Sequence, residues 1–324
     1  MKSTQPLAAN EPDASRKPSI SVIIPHLDQP DGLAACLESL RAQTLDRARF
    51  EVIVVDNGST CRPETIVARY PGTRLLNESE PGPGPARNLG VANAAGEILC
   101  FIDADCRAHP EWLSAILTAL NSLPRNTILG GDVQIWRQNS ERWGAIEAFE
   151  SIFGYRQKLH IEYYGFSGSG NLAVRADDFQ KVGPFGGISL AEDKDWGSRA
   201  RSCGFVFKYI PQMIVFHPAR PSLGLLFVQW DRLIQHTLTE ARRRKNWRLA
   251  WIGRAIAILG SPLFDIIEVF TSDRIDGLLA RIKASAILVV IRSYRTWRML
   301  TLLRSSSNRG IVWNRSAPIS AGKE

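Results

Sequence analysis

Between residues 19 and 110, short apolar runs alternate with stretches whose apolar positions recur every three or four residues. Residues 19–24 read as a strand that ends at Pro25, and residues 50–55 as a second strand closing on the turn cluster Asp56-Asn57-Gly58-Ser59. Residues 74–76 predict a short third strand. Residues 98–102 predict a fourth, wholly apolar and so suited to burial on both faces of a parallel sheet. Between them, residues 31–41 set Leu33, Cys36, Leu37 and Leu40 at helical spacing, residues 65–70 form a shorter helix, and Pro85 opens a helix through Ala95. This β-α-β-α order predicts an α/β fold with a doubly wound, mostly parallel sheet flanked by helices.

Residues 110–220 are more mixed. Helices are predicted over 110–120 and 142–159, and strands over 127–136, 171–175, 205–209 and 213–217. Such a half completes the sheet and supplies the acceptor side of a cleft. From about Ser222 the pattern turns long and helical, with apolar helices predicted over 249–270 and 278–303. Neither reaches the ~20 uninterrupted apolar residues of a membrane span. Arg254, Asp265 and Glu268 interrupt the first, and Arg281, Lys283 and Arg292 the second. The preferred reading is amphipathic helices lying in a membrane interface, with Arg, Trp247 and Trp251 at the headgroups. A helical appendage packed on the catalytic domain competes with it, and a spanning hairpin ranks third.

Charge sharpens that division. The net charge is +8, but from Arg220 onward 18 Lys/Arg face 7 Asp/Glu, a balance of +11, which leaves −3 for residues 1–219. The basicity belongs to the tail and suits an anionic surface. Residues 1–18 are polar, carry Pro6, Pro12 and Pro18, and lack the apolar core of a signal peptide, so a disordered leader without secretory export is expected. The five cysteines are odd in number and lack C-x-x-C spacing, which argues against a disulfide framework or zinc site and for a reducing compartment. The expected organisation is a leader (1–18), an α/β domain (19–220, with halves of about 19–110 and 111–220), a membrane-associating helical region (221–304) and a disordered tail (305–324).

Five constellations carry candidate chemistry. Asp103-Ala104-Asp105 follows the fourth strand, at the carboxyl edge where open α/β sheets bind ligands, and offers hard oxygen donors suited to Mg²⁺ or Mn²⁺. Asp56 ends the second strand; it either accepts hydrogen bonds from a base or ribose, or caps its own turn. The loop Pro81-Gly82-Pro83-Gly84-Pro85-Ala86-Arg87-Asn88 allows close backbone approach and leads an arginine toward an anion, or is an ordinary loop. Glu192-Asp193-Lys194-Asp195 suits a helix start through the macrodipole and equally supplies a general base. His217, at a strand end, is a structural residue or a metal ligand.

The order of Ser21-Val22-Ile23-Ile24-Pro25, Val54-Val55-Asp56-Asn57-Gly58-Ser59-Thr60, Gly84-Pro85-Ala86-Arg87-Asn88-Leu89-Gly90, Phe101-Ile102-Asp103-Ala104-Asp105, and Glu192-Asp193 with Arg199 and Gly204 resembles the family 2 glycosyltransferases over about residues 19–218. The resemblance implies a GT-A fold with a Rossmann-like sheet. It also implies a nucleotide-sugar donor (UDP-, GDP- or dTDP-linked), a divalent metal (Mn²⁺ or Mg²⁺), and inversion at the anomeric carbon during transfer to a hydroxyl acceptor. It assigns Pro25, Asp28, Asp56, Arg87, Asp103 and Asp105 to the nucleotide sugar, with Asp105 and His217 on the metal. Asp193 is then the catalytic base, supported by Glu192. Ser169, Gly170, Asn171 and Trp196 fall on the acceptor side. His26-Leu27-Asp28 departs from the aromatic or hydroxyl residue followed by Asn that many members carry. The Gln-x-x-Arg-Trp motif of processive members is missing, with Gln229-Trp230-Asp231-Arg232 a partial echo, so addition of one or few sugars is expected. The expected setting is cell-surface polysaccharide or glycolipid synthesis, peripheral at the cytoplasmic face of the membrane. The acceptor is a saccharide, lipid-linked saccharide or other hydroxyl compound, and nucleic acid is not an expected partner. The competing readings are a sugar-phosphate nucleotidyltransferase, whose glycine-rich loop is missing after the first strand, and a non-catalytic membrane- or nucleic-acid-binding protein.

Overall fold

The computed structural model describes residues 18–139, 141–187 and 192–303. The expected leader, apart from Pro18, and the expected tail lie outside the described residues. The elements run β1 (Ile20–His26), α1 (Pro30–Arg41), β2 (Phe50–Asp56), α2 (Glu64–Val67), β3 (Thr73–Asn77), α3 (Pro83–Ala92), β4 (Ile98–Ile102), β5 (Arg107–Ala108) and α4 (Trp112–Ser122). They continue with β6 (Thr127–Trp136), α5 (Ala145–Phe153), α6 (Gln157–Leu159), β7 (Asn171–Arg175), α7 (Ala176–Val182), α8 (Glu192–Ser202) and β8 (Val206–Pro218). Four further helices follow: α9 (Leu223–Ala241), α10 (Trp247–Gly260), α11 (Pro262–Thr271) and α12 (Leu278–Leu302).

The strands form one eight-stranded sheet in the order β3-β2-β1-β4-β7-β6-β8-β5. The first four are mutually parallel, and β7 runs antiparallel to both β4 and β6. The α/β class holds; the sheet is parallel across its first half and mixed beyond. β1 and β2 are β-branched and buried on both faces, which is why they sit in the middle. The chain winds from β1 outward to β3 and then returns to place β4 on the other side of β1. The winding direction therefore reverses between β1 and β4, which opens a crevice at their carboxyl ends.

Several boundaries differ from the sequence expectation for identifiable reasons. β1 runs through Pro25 to His26, because its pairing with β4 stops at Ile23 and a residue without an N–H is tolerated beyond that point. The strands expected over 205–209 and 213–217 are one strand, β8, with an exposed Pro211 inside it. Its neighbour β5 is two residues long, so most of that edge is open and a missing N–H costs no ladder bond. The helix expected over 142–159 breaks near Gly154, and the one expected over 249–270 breaks at Ser261-Pro262 into α10 and α11.

The described chain divides into two compact units. The first comprises the residues up to Asp132, Ile161–Gly187 and Glu192–Val215; the second comprises Val133–His160 and the residues from Phe216 on. The first unit's core joins Ile23, Leu99 and Phe101 of the sheet to Phe179, Phe185 and Trp196. In the second, Ala148, Phe149 and Ile152 of α5 pack with Leu226, Val269 and Leu288, so α5 shares a core with the C-terminal helices rather than with the acceptor half. Among the described residues no single helix is long and apolar enough to cross a membrane; α10 and α11, bent by 44°, meet that length and composition only as a pair.

Candidate active site

The crevice between β1 and β4 receives the loops that follow both strands. Ile23 pairs with Phe101, and carrying that register two residues on sets Pro25 level with Asp103. Gln29, just before α1, closes the gap by donating from Nε2 to Asp105 Oδ2 at 3.1 Å. Gly32 of α1 lets the helix start approach this loop, since a Cβ there would stand 3.1 Å from the Asp105 backbone.

Antiparallel β7 builds the other wall. Asn171 lies opposite Ile102, so Gly170 falls beside Asp103. A Cβ on Gly170 would sit 2.4 Å from Asp103 Oδ2, well inside contact distance. Gly170→Ala is therefore expected to push the Asp103 carboxylate aside and lower kcat/KM about 10²-fold, the order of loss for a displaced active-site group. The fold should persist, because Asp103 is 39% exposed and can move. Steady-state kinetics alongside a melting curve tests this; unchanged kinetics would remove Asp103 from the site.

Arg87, on α3, is the electrostatic centre. Its Nη2 donates to Asp103 Oδ1 at 2.7 Å and its Nη1 to Glu192 Oε1 at 2.9 Å, with the side chain only 3% exposed. Burial opposes its charge, but Asp103, Glu192 and Asp193 together outweigh that cost and hold its pKa above the ordinary arginine value. Glu192 and Asp193 open α8. Burial is the largest influence on each and raises both pKa values, while Arg87 partly opposes it. The Ser169 amide donates to Asp193 Oδ1 at 2.9 Å and fixes the orientation of that carboxylate. β4, α3, α8 and the turn before β7 thus bring Asp103, Arg87, Glu192 and Asp193 together.

Asp56 and Asp28 have side chains hydrogen-bonded within the loops that follow β1 and β2. Asp56 is 3% exposed and accepts from His26 Nδ1 at 3.1 Å and Ser59 Oγ at 2.5 Å. It caps its own turn and braces β1. His26 Nε2 in turn accepts from the Gln29 amide at 3.3 Å, so the proton sits on Nδ1. Asp28, at φ +50°, accepts from the Thr60 amide at 2.7 Å and ties the two loops together. The glycine-proline loop packs closely against its neighbours. The Gly82 amide donates to Asn57 Oδ1 at 2.7 Å, and the Gly186 carbonyl fills the space over Gly84, 2.1 Å from where a Cβ would be.

Two residues expected on the acceptor side are interior. Trp196 is 1% exposed, stacks on Phe179 with centroids 5.6 Å apart, and donates from Nε1 to the Gly183 carbonyl. Asn171 is fully buried; it accepts from Trp112 Nε1 and donates to the Asp132 and Met213 carbonyls, which explains a polar side chain at a sheet centre. Ser169 meets Asp193 instead of facing outward, and His217 lies near the end of β8 in the second unit, its ring 4.8 Å from that of Tyr155. The sequence motifs contain Asn57 and Asn88 but gave them no individual role, and Gln29 was passed over. Asn57 reaches the Glu78 and Glu80 carbonyls, and Asn88 exchanges two hydrogen bonds with the Phe185 backbone, holding the loop that leads toward α8. Of the three only Asn57 is buried, and that burial is not legible in the sequence.

The donor chemistry fits a hard divalent cation. Asp103 and Asp105, at the end of β4, supply carboxylate oxygens, the donors such an ion takes. The nearby thiols of Cys36 and Cys106 are buried and pushed up, first by desolvation and then by these carboxylates, so they are neutral core groups.

Comparison with known proteins bears on the family and the fold. Residues 21–181 match the model of glycosyl transferase family 2. The glycosyltransferase AglE of Haloferax volcanii is 31% identical over 222 residues, covering 67% of this chain and 72% of that protein. A PGL/p-HBAD biosynthesis glycosyltransferase of Mycobacterium tuberculosis is 32% identical over 170 residues, 49% of this chain and 65% of that protein. Among solved structures, the mannosyltransferase PcManGT of Pyrobaculum calidifontis, in complex with GDP-Man and Mn²⁺, superposes with a TM-score of 0.56 at 18% identity over 92% of this chain and 90% of that one. S. aureus TarS 1–349 with UDP-GlcNAc gives 0.50 at 16%, over 88% and 90%. The fold is thus GT-A, and the nucleotidyltransferase and non-catalytic readings fall away. On its motif order, its sheet and its relatives, this chain is a glycosyltransferase and belongs to glycosyltransferase family 2.

Proposed function

We propose that the protein transfers a hexose from a nucleoside-diphosphate sugar to a hydroxyl acceptor with inversion, aided by Mn²⁺ or Mg²⁺. The observation that carries this reading is the cluster in which Arg87 bridges Asp103 and Glu192 while the Ser169 amide orients a half-buried Asp193. Complexes of structural neighbours with GDP-Man and Mn²⁺, and with UDP-GlcNAc, support a nucleotide-sugar donor. Asp105 would hold the metal; when bound, the ion offsets charge on the leaving diphosphate. The loops after β1 and β2, with Pro25, Asp28 and Asp56, form the nucleotide side.

Asp193 accepts the proton of the acceptor hydroxyl as its oxygen bonds to the anomeric carbon. The bond to the diphosphate oxygen breaks on the opposite face, its electron pair leaves with the nucleoside diphosphate, and the centre inverts. Arg87 and Glu192 hold α8 and β4 in register so that base and donor carboxylates keep their spacing. Because Asn171 and Trp196 are interior, Ser169 and Gly170 act on the acceptor side through Asp193 and Asp103.

The same reading sets the enzyme peripherally on a membrane, on polysaccharide or glycolipid synthesis. Support comes from the apolar side chains that α10 and α11 expose, Leu263 and Phe264 at 77% and 75%, beside the basic run 242–245.

A melting-temperature screen of UDP-, GDP- and dTDP-sugars, with and without Mn²⁺, tests the donor reading. One nucleotide class with Mn²⁺ is expected to raise Tm by about 5 °C or more at ~100 times its Kd. No shift with any donor, metal present or absent, would sink the reading.

A further inference from the structure

The second unit carries a group of cations that glycosyl transfer does not use. Arg292, Arg295 and Arg298 follow one another at three-residue spacing on α12. Arg298 pairs with Asp231 of α9 at 2.9 Å, an acid that also accepts from Tyr294. Arg292 pairs with Asp265 of α11 at 2.8 Å, which also accepts from Ser261. The other α11 acid, Glu268, is paired with Arg156. Arg295 pairs with no carboxylate among the described residues. It stacks on the Trp230 ring with its guanidinium carbon 3.9 Å from the centroid. Its charged neighbours are Arg292, Arg254 of α10 and the already paired Asp265; burial first, then the two arginines, push its pKa down to about 9, so it keeps its charge at neutral pH.

Hydrogen bonding repeats the imbalance. Arg295 Nε, Arg292 Nε and Trp230 Nε1 are buried and lack an acceptor among the described residues. All three are donors, and Arg295 and Trp230 are in ring contact. Buried donors without partners are costly and uncommon, and one anion with several oxygens would satisfy such a set. The adjoining α10 and α11 expose Leu249, Ile256, Leu263, Phe264 and Ile267. A guanidinium cluster next to an apolar apron matches an anionic lipid better than a free anion, because the phosphate and the acyl chains each find their own surface.

We propose that Arg295, with Arg292, Arg254 and the indole N–H of Trp230, binds the phosphate of an anionic membrane lipid whose chains lie along the apolar sides of α10 and α11. This rests on the peripheral-membrane reading above.

The test is co-sedimentation of the full chain with phosphatidylcholine vesicles, with and without phosphatidylglycerol, at physiological salt, where the Debye length is about 8 Å. Wild type should bind the phosphatidylglycerol vesicles. Arg295→Met should lose about tenfold or more in that affinity. Arg243→Met, the same charge change at an exposed residue, should lose no more than about fivefold. Without lipid, the melting temperature of Arg295→Met should equal or exceed that of wild type, since an uncompensated cation is gone. Short-chain phosphatidylglycerol should raise the wild-type Tm, and inorganic phosphate at equal concentration should not. If wild type ignores phosphatidylglycerol vesicles, the membrane reading fails and takes the inference with it. If wild type binds but Arg295→Met loses no more than Arg243→Met, the inference alone fails. Equal stabilisation by inorganic phosphate would overturn the lipid as source.

Discussion

Asp193→Asn is expected to lower kcat by about 10²–10⁴-fold, the usual contribution of a positioned general base. The amide keeps the shape of the carboxylate and an oxygen for the Ser169 N–H, so only the capacity to take a proton is removed. Donor affinity should change little, because Arg87 bonds Asp103 and Glu192 rather than Asp193. The pH dependence provides a second readout. A base must be ionised to act, and burial raises the Asp193 pKa, so wild-type activity should climb with pH through a range above that of an ordinary aspartate. Asp193→Asn should lack that limb. The stability sign runs the other way. A carboxyl that binds its proton more tightly when folded contributes less stability as pH rises through its raised pKa, so the amide variant should melt no lower than wild type at neutral pH. A kcat within tenfold of wild type would remove Asp193 from the proton transfer.

Arg87→Met should cost about 3 kcal/mol at neutral pH, the lower end of the range for removing one partner of a buried ion pair. The lower end applies because Asp103 is 39% exposed and water screens part of its charge, whereas Glu192 is 18% exposed. The methionine fills most of the arginine stem's space, so the loss reports charge rather than packing. Without the guanidinium, Glu192 and Asp193 keep the burial that raises their pKa values and lose the cation that opposes it. Protonation then relieves the folded state. The penalty should shrink as pH falls toward the raised pKa values and grow as pH rises through them. Urea unfolding near pH 5 and pH 8 measures this; a variant as stable as wild type at both would show that the cluster needs no cation.

Much of the fold was legible in local pattern. β6 and β7 fall on the predicted boundaries because each is a buried run closed by polar residues. The carboxyl-edge location of Asp103 and Asp105 followed from a short apolar strand leading into them. What failed was anything depending on a neighbour. Pro211 looked like a strand break, yet β8 has an open edge there. Glu192-Asp193 looked like a helix start and is one, but nothing local revealed that Arg87, 105 residues away, bonds Glu192. Trp196 was placed on the acceptor side, although its ring packs into the Phe179–Phe185 cluster.

The sequence by itself determined the chemical inventory: which strands are buried, which carboxylates end them, and a motif order specific enough to name the family. Periodicity and spacing carry that information because strand and helix geometry are local. Tertiary structure alone decided which of those groups meet. The antiparallel register of β7 sets Gly170 against Asp103, and the placement of Arg87 on α3 lets one guanidinium bridge Asp103 and Glu192. It also turned Asp56 inward to cap its turn and left Arg295 without a paired carboxylate. Burial and long-range pairing set those outcomes, because a charged side chain takes its role from the partners and solvent that folding leaves it.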